Sequence, residues 1–297
     1  MNFFVILFCG LFLLSGLDAA AVEELLSSHK SLTIGIISAV PGESGRLLEL
    51  MEETVSTERG RRLYHRGKLK GIDTVLVSSR IGKVASSATA TNLIVEYKVD
   101  LIIFTGVAGA IDPTLNIGDI VVATALIQHD LNCNPFCPTY EIPLLKLSAL
   151  KPDPTLELFA FQASQKCAQT DLQKTVPAAI LSEYHIAVPK VVKGIVLTGD
   201  QVISKESQKQ DLKEKLPDAL CVEMEGASVG QVCYEYNIPF AVIRTISDYA
   251  NHQELPIDIK KFVTEVSGYY AESIIKNIYE LIVVSGRERG NNGKSHS

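Results

Sequence analysis

C-V-E-M-E-G-A-S-V-G-Q-V-C-Y-E-Y-N-I-P-F-A-V-I-R-T-I-S-D-Y-A-N, residues 221–251, contains two places where an apolar run gives way to acids. The run Ala219 to Met224 meets a helix at Glu223 and Glu225. The run Phe240 to Ile246 starts after Pro239, is rich in Val and Ile, and closes on Ser247 and Asp248. Such a run reads as a strand buried on both faces. In open α/β sheets ligands collect outside the carboxyl ends of the strands. Ser247 and Asp248 therefore stand where a small molecule is expected.

The same pattern recurs on the N-terminal side. Leu32 to Ala39 is a buried strand ending in the turn Val40-Pro41-Gly42-Glu43, and a helix with Leu47, Leu48 and Met51 on one face follows. Thr74 to Ser78 closes on Ser79-Arg80-Ile81-Gly82-Lys83, ahead of a small-residue helix over Val84 to Tyr97. Leu101 to Phe104 ends on the turn Thr105-Gly106-Val107-Ala108-Gly109, whose glycines allow a ligand close to the backbone. Gly118 to Ala125 is a further strand, and Gly194 to Leu197 leads to Thr198-Gly199-Asp200-Gln201. Leu156 to Ala168 is expected to be a helix, Ser207 to Leu216 a charged, solvated one. The last helix, Ile259 to Leu281, carries Phe262, Val266, Tyr270, Ile274, Ile278 and Leu281 at helical period. His129 to Pro154 is Pro-rich and irregular, with an extended piece over Tyr140 to Leu145.

Buried strands separated by helices make a largely parallel sheet whose carboxyl ends share one edge. The Glu43 turn, Ser79-Arg80, Thr105–Gly109, Thr198–Gln201 and Ser247-Asp248 then line one pocket. The glycine turn after Phe104 is not the G-x-G-x-x-G fingerprint, which speaks against a dinucleotide cofactor.

The 297 residues carry a formal net charge of −6, with 46% apolar and 21% charged residues. That is a folded globular composition without the clustered basic surface that nucleic acid requires. Phe3 to Leu14 is apolar but shorter than the roughly 20 residues of a spanning helix. With the small residues Ala19-Ala20-Ala21 it reads as a signal peptide over residues 1–21, so the chain is expected to be exported and to have no membrane span once the segment is removed. An uncleaved N-terminal anchor is the second reading, because the segment lacks Lys and Arg ahead of its apolar run. Residues 22–285 form the expected domain, and residues 286–297 a polar, disordered tail. Five of the six cysteines lie beyond the signal segment, an odd number. Cys133 and Cys137 flank one short loop and stand open as a disulfide or as two thiols. With His129 they lack a fourth ligand, so no metal is expected. Cys167, Cys221 and Cys233 sit in apolar segments and read as buried thiols.

In family order, the motifs I-G-I-I-S-A with Glu43, S-R-I-G-K-V-A (79–85), T-G-V-A-G (105–109), L-N-I-G-D-I-V-V (115–122), T-G-D (198–200), V-E-M-E (222–225) and I-R-T-I-S-D (243–248) resemble 5′-methylthioadenosine/S-adenosylhomocysteine nucleosidases, within the nucleoside phosphorylase superfamily. The resemblance implies a three-layer α/β/α fold with a central mixed, largely parallel twisted sheet. It implies hydrolysis of the N-glycosidic bond of a small-molecule nucleoside, without metal or organic cofactor, by a homodimer in which the 130–150 segment reaches the partner's pocket. Adenine leaves readily only when a ring nitrogen is protonated, so the acid needs a raised pKa. Asp248 matches that acid and Ser247 its orienting neighbour. Glu43 matches the base that takes a proton from water, Glu225 the grip on the ribose hydroxyls, and Met224 an apolar contact. Gly109, Val202 and Ile203 match positions around base and sugar, and Arg244 a neighbour of the water site. Glu223 also reads as a strand-end carboxylate paired with a helix terminus, and Arg244 as a buried ion-pair partner.

Two departures bear on the reaction. Pro41-Gly42-Glu43 with Arg46 is similar to the phosphate loop of the phosphorylases, and Val107 stands where nucleosidases often have Ser. A purine nucleoside phosphorylase is therefore the alternative enzyme. The signal segment motivates another class, a secreted binding, adhesion or storage protein on the same fold.

Overall fold

The computed structural model describes residues 20–27, 31–248 and 259–292. The expected signal segment falls outside them, apart from Ala20 and Ala21. The strands are β1 (Thr33–Ser38), β2 (Glu52–Arg59), β3 (Arg62–Leu69), β4 (Ile72–Ser78), β5 (Leu101–Ala110), β6 (Ile120–Gln128), β7 (Val191–Thr198), β8 (Ala219–Glu223) and β9 (Phe240–Asp248). The helices are α1 (Ala20–Ser27), α2 (Gly45–Leu50), α3 (Lys83–Val95), α4 (Pro154–Lys166), α5 (Leu172–Thr175), α6 (Ala178–Glu183), α7 (Glu206–Lys215), α8 (Gly226–Tyr236), α9 (Ile259–Phe262) and α10 (Gly268–Asn292).

The strands form one mixed sheet in the order β2-β3-β4-β1-β5-β8-β7-β6-β9, and β9 also pairs with β5. β1 lies parallel to β4 and β5, and β9 parallel to β5. Because β9 joins both β5 and β6, the half of the sheet from β5 onward closes on itself. β9 is buried along its whole length, as its unbroken apolar run requires. One core packs the sheet's Ile34, Ile36, Ile103 and Ile243 against α4 and α10, through Phe159, Ile274 and Ile278. A second core on the other face joins Ile37, Val75, Val77, Ile102 and Phe104 to Leu93 of α3 and Val229 of α8. The sheet is thus the middle of three layers.

Several local expectations change. The T-G-V-A-G segment is not a turn but the second half of β5, bulged between Ala108 and Gly109 where it pairs with β9. Small residues let that strand run beneath other groups rather than turn away. The hairpin β2–β3 is absent from the sequence reading because every residue of β2 is exposed and polarity hides it. Its signal is the Gly60-Arg61 turn, where both residues have positive φ (53° and 58°), as a two-residue type I′ turn demands. Tyr140 to Leu145 forms turns with an isolated bridge from Ile142 to Leu147, not an extended piece. α10 continues through Gly286 to Asn292, so the segment expected to be a disordered tail from residue 286 begins as helix. No proline interrupts it, and a helix already nucleated gains one bond per added residue. α7 is not wholly solvated: Lys209 and Leu212 are buried. Cys133 and Cys137 form a disulfide, while Cys167, Cys221 and Cys233 are buried thiols.

Candidate active site

The carboxyl ends of β1, β5, β8 and β9, with the loops after β4 and β7, surround a cavity of about 630 Å³. Glu43, Gly109, Val202, Ile203, Met224, Glu225, Ser247 and Asp248 all line it, together with Glu223. Ile81, Ile259 and Val263 add apolar wall, and Val202 stands two-thirds exposed at its edge. The five strand-end segments singled out in the sequence therefore meet, although the Ser79-Arg80 turn contributes through Ile81. Arg244 is the exception. It lies under the lining, because the strand that carries it is buried on both faces.

Glu43 is placed by the turn after β1. Its Oε2 accepts from the N–H of Ala39 (2.7 Å) and of Val40 (3.0 Å), and its Oε1 from the N–H of Val107 (3.0 Å). The contact to Val107 uses backbone, so a serine side chain is not needed for it. Burial raises the Glu43 pKa above its ordinary value, against the pull of these donors and of Arg244. A carboxylate moved in that direction suits a general base.

Glu223 serves the start of α8. Its oxygens accept from the N–H of Glu225 (2.9 Å) and of Gly226 (2.8 Å), from the Thr198 hydroxyl, and from Arg244 Nη2 (2.5 Å). Thr198 Oγ1 in turn accepts from the Ala227 N–H at 2.8 Å. The free donors of the helix terminus are thus met by one anion and one hydroxyl. The sequence reading of Glu223 as a strand-end carboxylate on a helix terminus, and of Arg244 as an ion-pair partner, describes this arrangement. Arg244 is 1% exposed and lies 4.1 Å from the centre of the Phe104 ring. Burial disfavours its charge, but Glu223, Glu225 and Glu43 more than offset that and raise its pKa.

Glu225 follows at the N-cap of α8 and turns toward the cavity. Its Oε1 accepts from the Gly82 N–H at 2.9 Å. Burial, then the Glu223 charge, push its pKa up to about 8. Asp248 ends β9. Lys209 Nζ of α7 donates to its Oδ2 at 2.9 Å, and Ser247 Oγ to its Oδ1 at 3.1 Å. Lys209 was missed in the sequence because charge dominates its helix. The available signal was the spacing of 209, 212 and 216, an inward stripe in an otherwise charged segment.

The glycines of β5 leave room for these carboxyls. A Cβ on Gly106 would come within 2.9 Å of both Glu43 Oε1 and Arg244 Nη1. A Cβ on Gly109 would lie 3.0 Å from both Asp248 oxygens.

The family model of the phosphorylase superfamily matches residues 33–278. A 5′-methylthioadenosine/S-adenosylhomocysteine nucleosidase of Shewanella halifaxensis is 33% identical over 250 residues, which are 84% of this chain and all of that one. The chain belongs to the 5′-methylthioadenosine/S-adenosylhomocysteine nucleosidase family of the phosphorylase superfamily. Among solved structures, the nucleosidase of Colwellia psychrerythraea 34H, in complex with adenine, is similar with a TM-score of 0.73 and 30% identity, over 85% of this chain and 96% of that one. Futalosine hydrolase of Helicobacter pylori is also similar, with a TM-score of 0.70 and 28% identity, over 86% of this chain and all of that one.

Two outcomes follow from this geometry. Gly109→Ala forces the Asp248 carboxyl to shift by a few tenths of an ångström; it should cost at least about tenfold in turnover, since misplacement of a reacting group by about 1 Å costs roughly 10²-fold, with a cooperative melt retained. Full activity in that variant would show that the close approach is unimportant. Glu43 and Glu225 bind their protons more tightly in the folded chain than in the unfolded one, where carboxyls titrate near ~4.3. Folding then takes up protons, so stability falls as pH rises from that range toward the Glu225 value of about 8. Thermal melts of the ligand-free chain should show Tm declining over that window, and Glu225→Gln should flatten the decline; an unchanged slope contradicts the assignment.

Proposed function

We propose that this chain hydrolyses the N-glycosidic bond of 5′-methylthioadenosine and S-adenosylhomocysteine, releasing adenine. The observation that carries the reading is one cavity holding Glu43, Glu225 and Asp248 with no Lys or Arg among its described lining residues. A phosphorolytic site needs converging cationic or N–H donors for phosphate. Arg46, the cation of the phosphorylase-like turn, instead pairs with Glu272 at 2.7 Å and stacks on Tyr269 at 3.9 Å. Arg80 donates to the Arg61 carbonyl. Water is thus the nucleophile that this site is equipped to activate.

In this reading the bond from C1′ to the purine breaks with its electron pair moving to the base. Asp248 donates a proton to a ring nitrogen, which turns adenine into a neutral leaving group. Glu43 takes a proton from the water whose oxygen bonds to C1′. Glu225 holds the ribose hydroxyls, and Met224 packs on sugar and base. Ile81, Val202, Ile259 and Val263 suit an apolar thioether at the 5′ position. The chain also fits export and a paired state. The Cys133–Cys137 disulfide supports an oxidising compartment. Phe136 (94% exposed) and Leu144 (97% exposed) in the 130–150 segment support coverage by a second copy.

Adenine release from methylthioadenosine should proceed at an undiminished rate in phosphate-free buffer, and faster than hydrolysis of the N-glycosidic bond of futalosine. Release that appears only on adding phosphate, with a sugar 1-phosphate as product, would reject hydrolysis. Asp248→Asn and Glu43→Gln should each lower turnover by about 10²-fold or more. Sedimentation of the chain lacking residues 1–21 should give a dimer, and N-terminal sequencing of protein recovered outside the cytoplasm should start near residue 22; a monomer, or a retained N-terminus, would remove the corresponding part.

A further inference from the structure

Lys209 is among the largest fully buried side chains of the molecule. It nonetheless projects from a helix reading E-S-Q-K-Q-D-L-K-E-K. Its ammonium sits 2.9 Å from Asp248 Oδ2, with the two side chains 2% and 10% exposed. Lys209 does not line the cavity, so it meets Asp248 from behind the surface that faces a substrate. Taking an ammonium out of water is costly, and apolar packing at the same place serves stability as well or better. A buried ion pair placed on a proposed acid is therefore a functional marker.

The pair raises a chemical question. An ammonium in contact with a carboxyl favours its anion, yet Asp248 must deliver a proton to the purine. Among the described residues, the ionisable groups around Asp248 are Lys209 from α7, Cys221 and Glu223 from β8, Glu225 at the start of α8, Glu43 after β1, and Arg244 from β9 itself. Glu223 and Arg244 are committed to each other. Lys209 is the one of these groups that carries protons and contacts the Asp248 oxygen.

Building on the nucleosidase reading, we infer that Lys209 is a positioning residue that stands behind the acid and supplies its proton. As the C1′–N bond breaks, a proton passes from Lys209 Nζ to Asp248 while the Asp248 proton position empties onto the purine ring nitrogen. One N–H bond breaks at Lys209 and one N–H bond forms on adenine, whose ring takes the electron pair of the glycosidic bond. Lys209 ends as a neutral amine and Asp248 in the protonation state in which it began, and solvent returns the proton to Lys209 after product leaves. Ser247 on the other oxygen and Gly109 against the carboxyl plane keep Asp248 in place throughout.

The test compares wild type with Lys209→Met, Lys209→Gln and Lys209→Arg in the phosphate-free adenine assay. Near neutral pH each variant should lose about 10²-fold in kcat, the lower end of general acid–base contributions, with KM and the Kd for adenine within a few-fold of wild type. Arg retains the charge but does not give up its proton, so it should not restore turnover. Lys209→Met and Lys209→Gln should recover activity in acidic buffer, where solvent protonates Asp248 directly. Near-wild-type kcat in Lys209→Arg, near-wild-type kcat in Lys209→Met, a loss carried by KM, or variants without acid recovery would each overturn the inference. If Lys209→Met fails to fold, by its melt and by adenine binding, Lys209→Gln carries the same comparison. Wild type that releases no adenine defeats the nucleosidase reading instead, and is told apart by that control.

Discussion

Four carboxyl groups share one cavity in this chain, and their mutual repulsion is the constraint that the site is built to meet. Glu43, Glu223, Glu225 and Asp248 are all buried. Charges so placed cannot rely on water and must find protons, cations or N–H donors. Each group finds a different solution. Glu43 takes backbone N–H groups from its own turn and from β5, and Glu223 takes a helix terminus and a guanidinium. Glu225 holds a proton up to about pH 8, and Asp248 takes an ammonium. These different solutions give carboxyls of one chemical type separate roles around one ligand.

The fold supplies those solutions through its connections. β9 sits between β5 and β6, and the pairing of β5 with β8 near Gly109 brings the ends of β8 and β9 to one wall. Arg244 can serve β8 from β9 because the two strands flank the same end of β5. The start of α8 then aims its dipole and its first N–H groups at Glu223, which frees Glu225 to face the cavity. Packing on both faces of the sheet holds this edge in place, with α4 and α10 on one side and α3 and α8 on the other.

Much of this was legible in the sequence because buried parallel strands announce themselves as apolar runs. Their ends could be read as a shared edge. Asp248, Glu43, Glu225, Met224, Gly109, Val202, Ile203 and Ser247 all reach the cavity. Arg244 was read both as a neighbour of the water site and as a buried ion-pair partner, and the second reading describes its pairing with Glu223: a residue type indicates a need for partners, but not the depth at which it finds them. Lys209 went unseen because one inward lysine looks like its solvated neighbours until a carboxyl is known to lie beneath it. The exposed β2–β3 hairpin carries no apolar alternation, and its signal was confined to a two-residue turn. The glycines of β5 were read as room for a ligand. In the structure Gly109 does line the cavity, and the same glycines also make room for Glu43, Arg244 and Asp248.

That allocation of space bears on how such a pocket can change over evolutionary time. The β5 wall admits no methyl at Gly106 or Gly109 without pushing a charged group out of register. Diversification toward other nucleosides has to be written elsewhere, on the loop bearing Gln201 to Ser204 and on the stretch with Ile259 and Val263. Lineages of this scaffold should therefore drift along those rims while the glycine wall stays the same.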